Sequence, residues 1–295
     1  MRFSKSICIF VIVAIFTGSV CSCKNKRETE SSTTKEPGKF YQHEFRRRLD
    51  AVNPGLKDPS AIISLLESTG AEFLPDLINN SGLDSIYLLD SAAAAVNLGI
   101  YTVDLVYLIA YDKNEMADVQ LSKARKLADK IGATHLYDHG MYNRYRQAGV
   151  HPDTLIKYFS KAAEQMEHEY SSMQLLRLYT LFATGEFIEK LHLTSSLLIH
   201  AEEHERDYYW TVMLLVFQQE RALDQLILLL DQIREQEEGD RFMAMMNDLK
   251  LIFMEMTDSR ELSGINTQNI AENQLFREMV EQLGYIRNWV IHPTE

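Results

Sequence analysis

The apolar and polar positions between residues 84 and 132 draw two helices and a turn. Over 85–111, Ile86, Leu89, Ala93, Val96, Ile100, Val103, Tyr107 and Tyr111 fall three or four residues apart, which marks one apolar stripe along a helix. The return arm repeats that spacing with Leu121, Ala124, Leu127, Ala128 and Ile131 and keeps Lys123, Arg125, Lys126 and Lys130 off the stripe. It stops at Gly132, a residue suited to a helix C-terminus. With the connection near 111–114, the two arms predict a helical hairpin at the centre of the chain.

The rest of the chain continues in the same period. Asp58-Pro59 caps and starts a helix that Gly70 ends, and 74–79 holds one short turn of helix. Further helices are predicted over 136–147, from Pro152 with the stripe Leu155, Phe159, Ala162, Ala163 and Met166, and then over 173–198, 206–218, 222–236, 241–256 and 270–291. Strand-type alternation is not found. Of the six prolines, none lies between Pro152 and Pro293, which suits long uninterrupted helices. The expectation is an all-α fold, an irregular multi-helix bundle or αα-superhelix of antiparallel hairpins, with a hairpin of tetratricopeptide type in the centre. No second copy aligns at a fixed period, so a repeat array is not predicted.

The first residues depart from this pattern. Arg2 and Lys5 precede an apolar run over 7–16 and small residues before cysteine, as in a secretory signal. Val20, Ser22 and Cys23 resemble a bacterial lipobox, in which the chain is cut before a cysteine that then carries lipid. Cys23 is the expected anchor, with Cys21 the alternative because the bulkier Val20 precedes it. The organisation predicted is a signal peptide over 1–22, a lipid-anchored flexible tether over 23–39 and a single helical domain over 40–295. Residues 24–39 hold no side chain able to enter a core, and such a tether has a typical span of roughly 20–25 Å. The covalent diacylglycerol and N-acyl lipid at Cys23 would be the only attached group, and no other cofactor is predicted.

Composition narrows the chemistry. With Cys8 inside the apolar run and no cysteine after Cys23, the body has neither a disulfide nor a thiolate nucleophile. Removing 1–22 takes away Arg2 and Lys5 and no acid, leaving 28 Lys and Arg against 42 Asp and Glu and moving the formal charge from −12 to −14. An acidic body of this kind is not a nucleic-acid binder, and attachment to a membrane rests on the lipid anchor.

Two segments carry a family resemblance: Leu98-Gly99-Ile100-Tyr101-Thr102-Val103-Asp104-Leu105, and Gly185-Glu186-Phe187-Ile188-Glu189. They resemble the LGVY-x-x-DL and GGW-[IV]-E segments of an uncharacterised family of α-helical lipoproteins in Bacteroidota, with Thr184 and Phe187 where that pattern has glycine and tryptophan. The resemblance implies a helical envelope lipoprotein and supplies no activity. By likeness to other bacterial lipoproteins, Lys24 behind the anchor implies the outer membrane. Because Lys24, Lys26 and Arg27 stand where exported Bacteroidota lipoproteins carry an acidic tract, the periplasmic face is expected, with surface exposure as the alternative.

Few constellations propose catalysis. His200, Glu203 and His204 match H-x-x-E-H, in which two histidines one turn apart hold zinc and the glutamate activates water; the same stretch also reads as a solvated turn between two apolar helices. Glu189 and His192 match the Glu-x-x-His of di-iron bundles, which needs a second copy that the chain lacks; otherwise they belong to a polar helix face with Glu186 and Lys190. Asp104 lies between Val103 and Leu105 on the central arm and needs partners if buried, for which Tyr101, Tyr107, Arg144 or Arg146 are candidates. It is expected to be either a pocket carboxylate or an internal tie that fixes helix register. Tyr137, Tyr142, Tyr145, Tyr208, Tyr209 and Trp210 line a core or a ligand groove. The leading expectation is a non-catalytic, lipid-anchored binding or assembly module with an envelope-protein partner. The alternative is a metal-dependent hydrolase or oxidase using His200, Glu203 and His204, or Glu189 and His192.

Overall fold

The computed structural model describes residues 72–80, 82–170, 175–200, 206–258 and 273–293. The described residues form an all-α multi-helix bundle with no strand among them. The expected signal, tether, anchor cysteines and the helix ended by Gly70 lie outside the described residues.

The helices are α1 (Asp84–Tyr87), α2 (Ser91–Ala110), α3 (Asn114–Ile131), α4 (His139–Gln147), α5 (Pro152–Tyr170), α6 (Leu176–His200), α7 (Arg206–Asp231), α8 (Glu237–Asp258) and α9 (Gln274–Ile291). Short 3-10 turns at Pro75–Leu77 and Thr134–Leu136 precede α1 and α4. The predicted central hairpin is α2 and α3. Its first arm differs from the expectation, because the chain breaks between α1 and α2 where Asp90 caps the new helix by accepting from the N–H groups of Ala92 (3.0 Å) and Ala93 (3.1 Å). The end of α3 follows the expected form. Gly132 takes φ +84°, and the N–H of Ala133 reaches back to the carbonyl of Ala128 at 2.7 Å.

Instead of one buried stripe, α2 is buried on all sides: every residue of 94–110 is inside. It packs most extensively against α6 and α3 and also touches α5 and α9. By length and apolarity α2 would pass for a membrane-spanning helix, yet the apolar window is 94% buried by the protein itself, which is how a central core helix behaves. Two glycines make that centrality possible. A Cβ at Gly99 would lie 2.1 Å from the Phe182 carbonyl oxygen, and one at Gly185 would lie 1.9 Å from that of Val96. Thus α2 and α6 cross with backbone against backbone, a separation that only glycine allows.

The segments predicted over 206–218 and 222–236 are one continuous helix, α7. The polar run Gln218 to Arg221 carries no Gly or Pro to break it, so it passes as part of a helix rather than a loop. From there α8 packs on α7 and α9, and α9 returns to α6 and α2. Asn273 caps α9 by accepting from the N–H of Phe276 at 3.0 Å. At the other end of α9, the Tyr87 hydroxyl donates to the Ile291 carbonyl at 2.6 Å and the Asn97 amide to that of Val290 at 3.4 Å. The first and last described helices are joined there.

Candidate functional site

One turn and a half beyond Gly99, α2 presents Asp104 to the interior with no exposure to solvent. Glu189, also fully buried, comes from α6 just beyond Gly185, and Arg287 from α9 is nearly buried. The Arg287 guanidinium grips Glu189 with both arms, Nε to Oε2 at 2.7 Å and Nη2 to Oε1 at 2.8 Å, and Nη2 also donates to the Leu77 carbonyl at 2.9 Å. Such a fork-to-carboxylate pair is the strongest geometry available to buried charges. Asp104 Oδ2 accepts from the Asn79 N–H and from Gln120 Nε2, each at 3.0 Å. His192, one turn along α6 from Glu189, completes the group, with its Nε2 buried and without a hydrogen-bond partner.

Electrostatics assigns the protons. Burial, then the adjoining Glu189 carboxylate, raises Asp104 well above its ordinary 3.8. Burial also works to raise Glu189, but Arg287 outweighs it and holds that carboxyl below 4.5. Oδ1 of Asp104 is buried with no donor pointing at it, which is the position expected of the oxygen that carries a proton and donates it to Glu189. Burial pushes His192 down to about 4, with the Arg287 charge adding to the effect and Glu189 opposing it. Arg287 and Glu189 therefore form the ion pair of the cluster, Asp104 beside them resists losing its proton, and His192 is a neutral imidazole at neutral pH.

Asp104, Glu189 and His192, singled out by sequence for separate reasons, thus belong to one cluster. The expected partners of Asp104 are engaged elsewhere. The Tyr101 hydroxyl donates to Asp84, Tyr107 accepts from the Leu74 N–H at 2.9 Å, Arg144 pairs with Asp138, and Arg146 with Asp118. Nor is Glu189 on a solvated helix face, since the side of α6 holding Glu186 and Glu189 turns inward. Gln120, Asn79 and Arg287 were not foreseen. Arg287 had a readable signal, a lone cation among Leu283, Ile286 and Val290 on the buried face of α9.

Tyr137 and Tyr142 are core residues, each with its ring 6.3 Å from that of Phe159. The side chains of His200, Tyr208, Tyr209 and Trp210, and all of Glu203 and His204, lie outside the described residues. No group of three or more His, Cys, Asp or Glu side chains with metal-site geometry occurs among the described residues. No protein family, curated protein or solved structure matches the chain.

Proposed function

We propose that the chain is a lipid-anchored helical protein of the cell envelope, held at the periplasmic face of an outer membrane through Cys23, that acts by binding or assembly rather than by catalysis. The observation that carries this reading is the commitment of both Glu189 oxygens to Arg287. The ionisable groups closest to forming a reactive site neutralise one another inside the core and tie α2, α3, α6, α9 and the turn at Leu77 together. With a guanidinium already at Glu189, the place a metal ion would take is filled by the protein's own cation. The resemblance to helical Bacteroidota lipoproteins and the tether composition of 23–39 support the envelope location.

Fractionation of the full chain tests the anchor. Cys23→Ser is expected to leave the membrane fraction unlipidated or to accumulate as uncut precursor, and unchanged lipid labelling would move the anchor to Cys21. Metal content tests the mode of action. The full Cys23→Ser chain, purified without chelator, is expected to carry less than about a tenth of an equivalent of transition metal, and a stoichiometric metal lost in His200→Ala or His192→Ala would restore the hydrolase or oxidase reading.

A further inference from the structure

On the opposite side of α3 from the core lies an open groove of about 500 Å³ lined by Ser122, Arg125, Lys126, Asp129, Thr134 and His139. Its charge stands apart from the rest of the molecule. The chain has a formal charge of −12, yet 121–139 holds four Lys and Arg against two Asp. Three cations nearby are matched: Lys123 with Asp84, Arg144 with Asp138 and Arg146 with Asp118. Arg125 and Lys126 have no carboxylate partner among the described residues and stand exposed at the groove. Asp129, the groove's one acid, already accepts from the Thr134 hydroxyl at 2.9 Å.

The remaining lining groups are donors. The Asn143 amide lies 2.9 Å from Nδ1 of His139, so Nδ1 accepts and Nε2 is the nitrogen that carries hydrogen. Together with the guanidinium, the ammonium and the Ser122 hydroxyl, this offers more donors than the two oxygens of a carboxylate can use. A phosphoryl group, with three non-bridging oxygens, fits such a set, and Arg beside Lys supplies both a planar fork and a point charge for it. The groove is larger than inorganic phosphate requires and of the size of a small organic ligand.

We propose that this groove, between α3 and the start of α4, binds a small molecule bearing a phosphate ester. The inference rests on reading the body as a binding module and names the chemistry it binds. Two sources present that chemistry to an envelope protein, a soluble phosphomonoester and the terminal phosphate of phosphatidic acid. Calorimetric titration of the full chain in nonionic detergent separates them, with glycerol 3-phosphate as one probe and monomeric dihexanoyl phosphatidic acid as the other. Saturable binding of either supports the site, and the tighter probe identifies the source. Arg125→Gln with Lys126→Gln should weaken that binding by about tenfold or more, as expected for two charge-assisted contacts. Lys157→Gln with Lys161→Gln, the same charge change on exposed positions of α5, should alter it less than about twofold.

Three results would overturn the proposal: neither probe saturating, equal loss in the α5 variant, or equal binding of uncharged glycerol and zwitterionic dihexanoyl phosphatidylcholine. Because neither groove substitution touches Cys23 or the buried cluster, loss of phosphate binding with unchanged membrane fractionation would count against the groove alone. Loss of membrane attachment in the unsubstituted chain would instead count against the envelope reading.

Discussion

Helices α2 and α6 meet in two ways within two turns of each other. At Gly99 and Gly185 the contact is steric, backbone on backbone, and tolerates no added atom. At Asp104 and Glu189 it is electrostatic, and its geometry depends on a third helix that supplies Arg287. The first kind of contact fixes how close the helices come, whereas the second fixes which residues face each other. Close approach can be achieved in several registers; a forked arginine opposite one carboxylate and a protonated acid beside it can be satisfied in only one.

Enlarging the glycines tests the steric contact. Gly185→Ala drives a methyl into the Val96 carbonyl and must part the helices, and Gly99→Ala does the same against Phe182. Each should cost about 1–3 kcal/mol, the range for overpacked cores, and also loosen the Asp104–Glu189 contact. Urea unfolding midpoints measure it. Retention of wild-type stability in either variant would mean that the crossing is not as close as described.

Arg287→Met, which acts on the electrostatic contact, should have the greatest effect. It removes the only cation in the cluster and strands Glu189, for which breaking a buried pair costs about 3–5 kcal/mol. The triple change Arg287→Met, Glu189→Leu and Asp104→Asn should recover most of that loss, because apolar packing replaces a buried pair at little net cost. If the ionic tie sets register, the triple variant will be stable but poorly ordered, with broadened amide resonances. Sharp spectra and full stability would deny the tie that role.

The smallest effect at neutral pH belongs to Asp104→Asn. An amide reproduces the protonated carboxyl, donating to Glu189 and accepting from Asn79 and Gln120, so the change should stay within about 1 kcal/mol. Its signature is in the pH dependence. A raised Asp104 keeps a proton in the fold that the unfolded chain releases above pH 3.8, so its contribution is complete below that value and declines as pH rises. His192 acts oppositely: between about 4 and 6.5 the unfolded chain takes up a proton that the fold excludes, so stability falls as pH falls. In the natural chain the two slopes have opposite sign. Asp104→Asn should expose the His192 slope, about 1.4 kcal/mol lost per pH unit toward 4. His192→Gln should leave the reverse, and identical pH profiles for both variants would refute the proton assignment.

How much of this was readable depends on distance along the chain. Gly132, Pro152 and the stripe of α5 report local geometry, and the helices they bound formed as expected. Asp104 drew attention because an acid between Val103 and Leu105 conflicts with its surroundings. Its partners were sought among nearby residues, but the cation at its cluster comes from position 287, and helical periodicity carries no information on which faces meet across that separation. The same limit explains α2, whose stripe marks one face while its burial on every side is a property of the neighbours. The division of α7 at Gln218 to Arg221 has another cause: polarity resembles a loop when the buried residues on either side, Phe217 and Leu223, are not weighed together with it.

The bond from Tyr87 to the Ile291 carbonyl, together with the grip of Arg287 on Glu189, sets an order of events during synthesis. The earlier helices hold two buried acids, Asp104 and Glu189, whose cation Arg287 emerges only with α9. A chain interrupted before Arg287 keeps an uncompensated carboxylate at its centre, which marks it as a substrate for proteases and chaperones. Native structure here thus waits on the synthesis of α9, the helix that brings the cation to two acids made long before it.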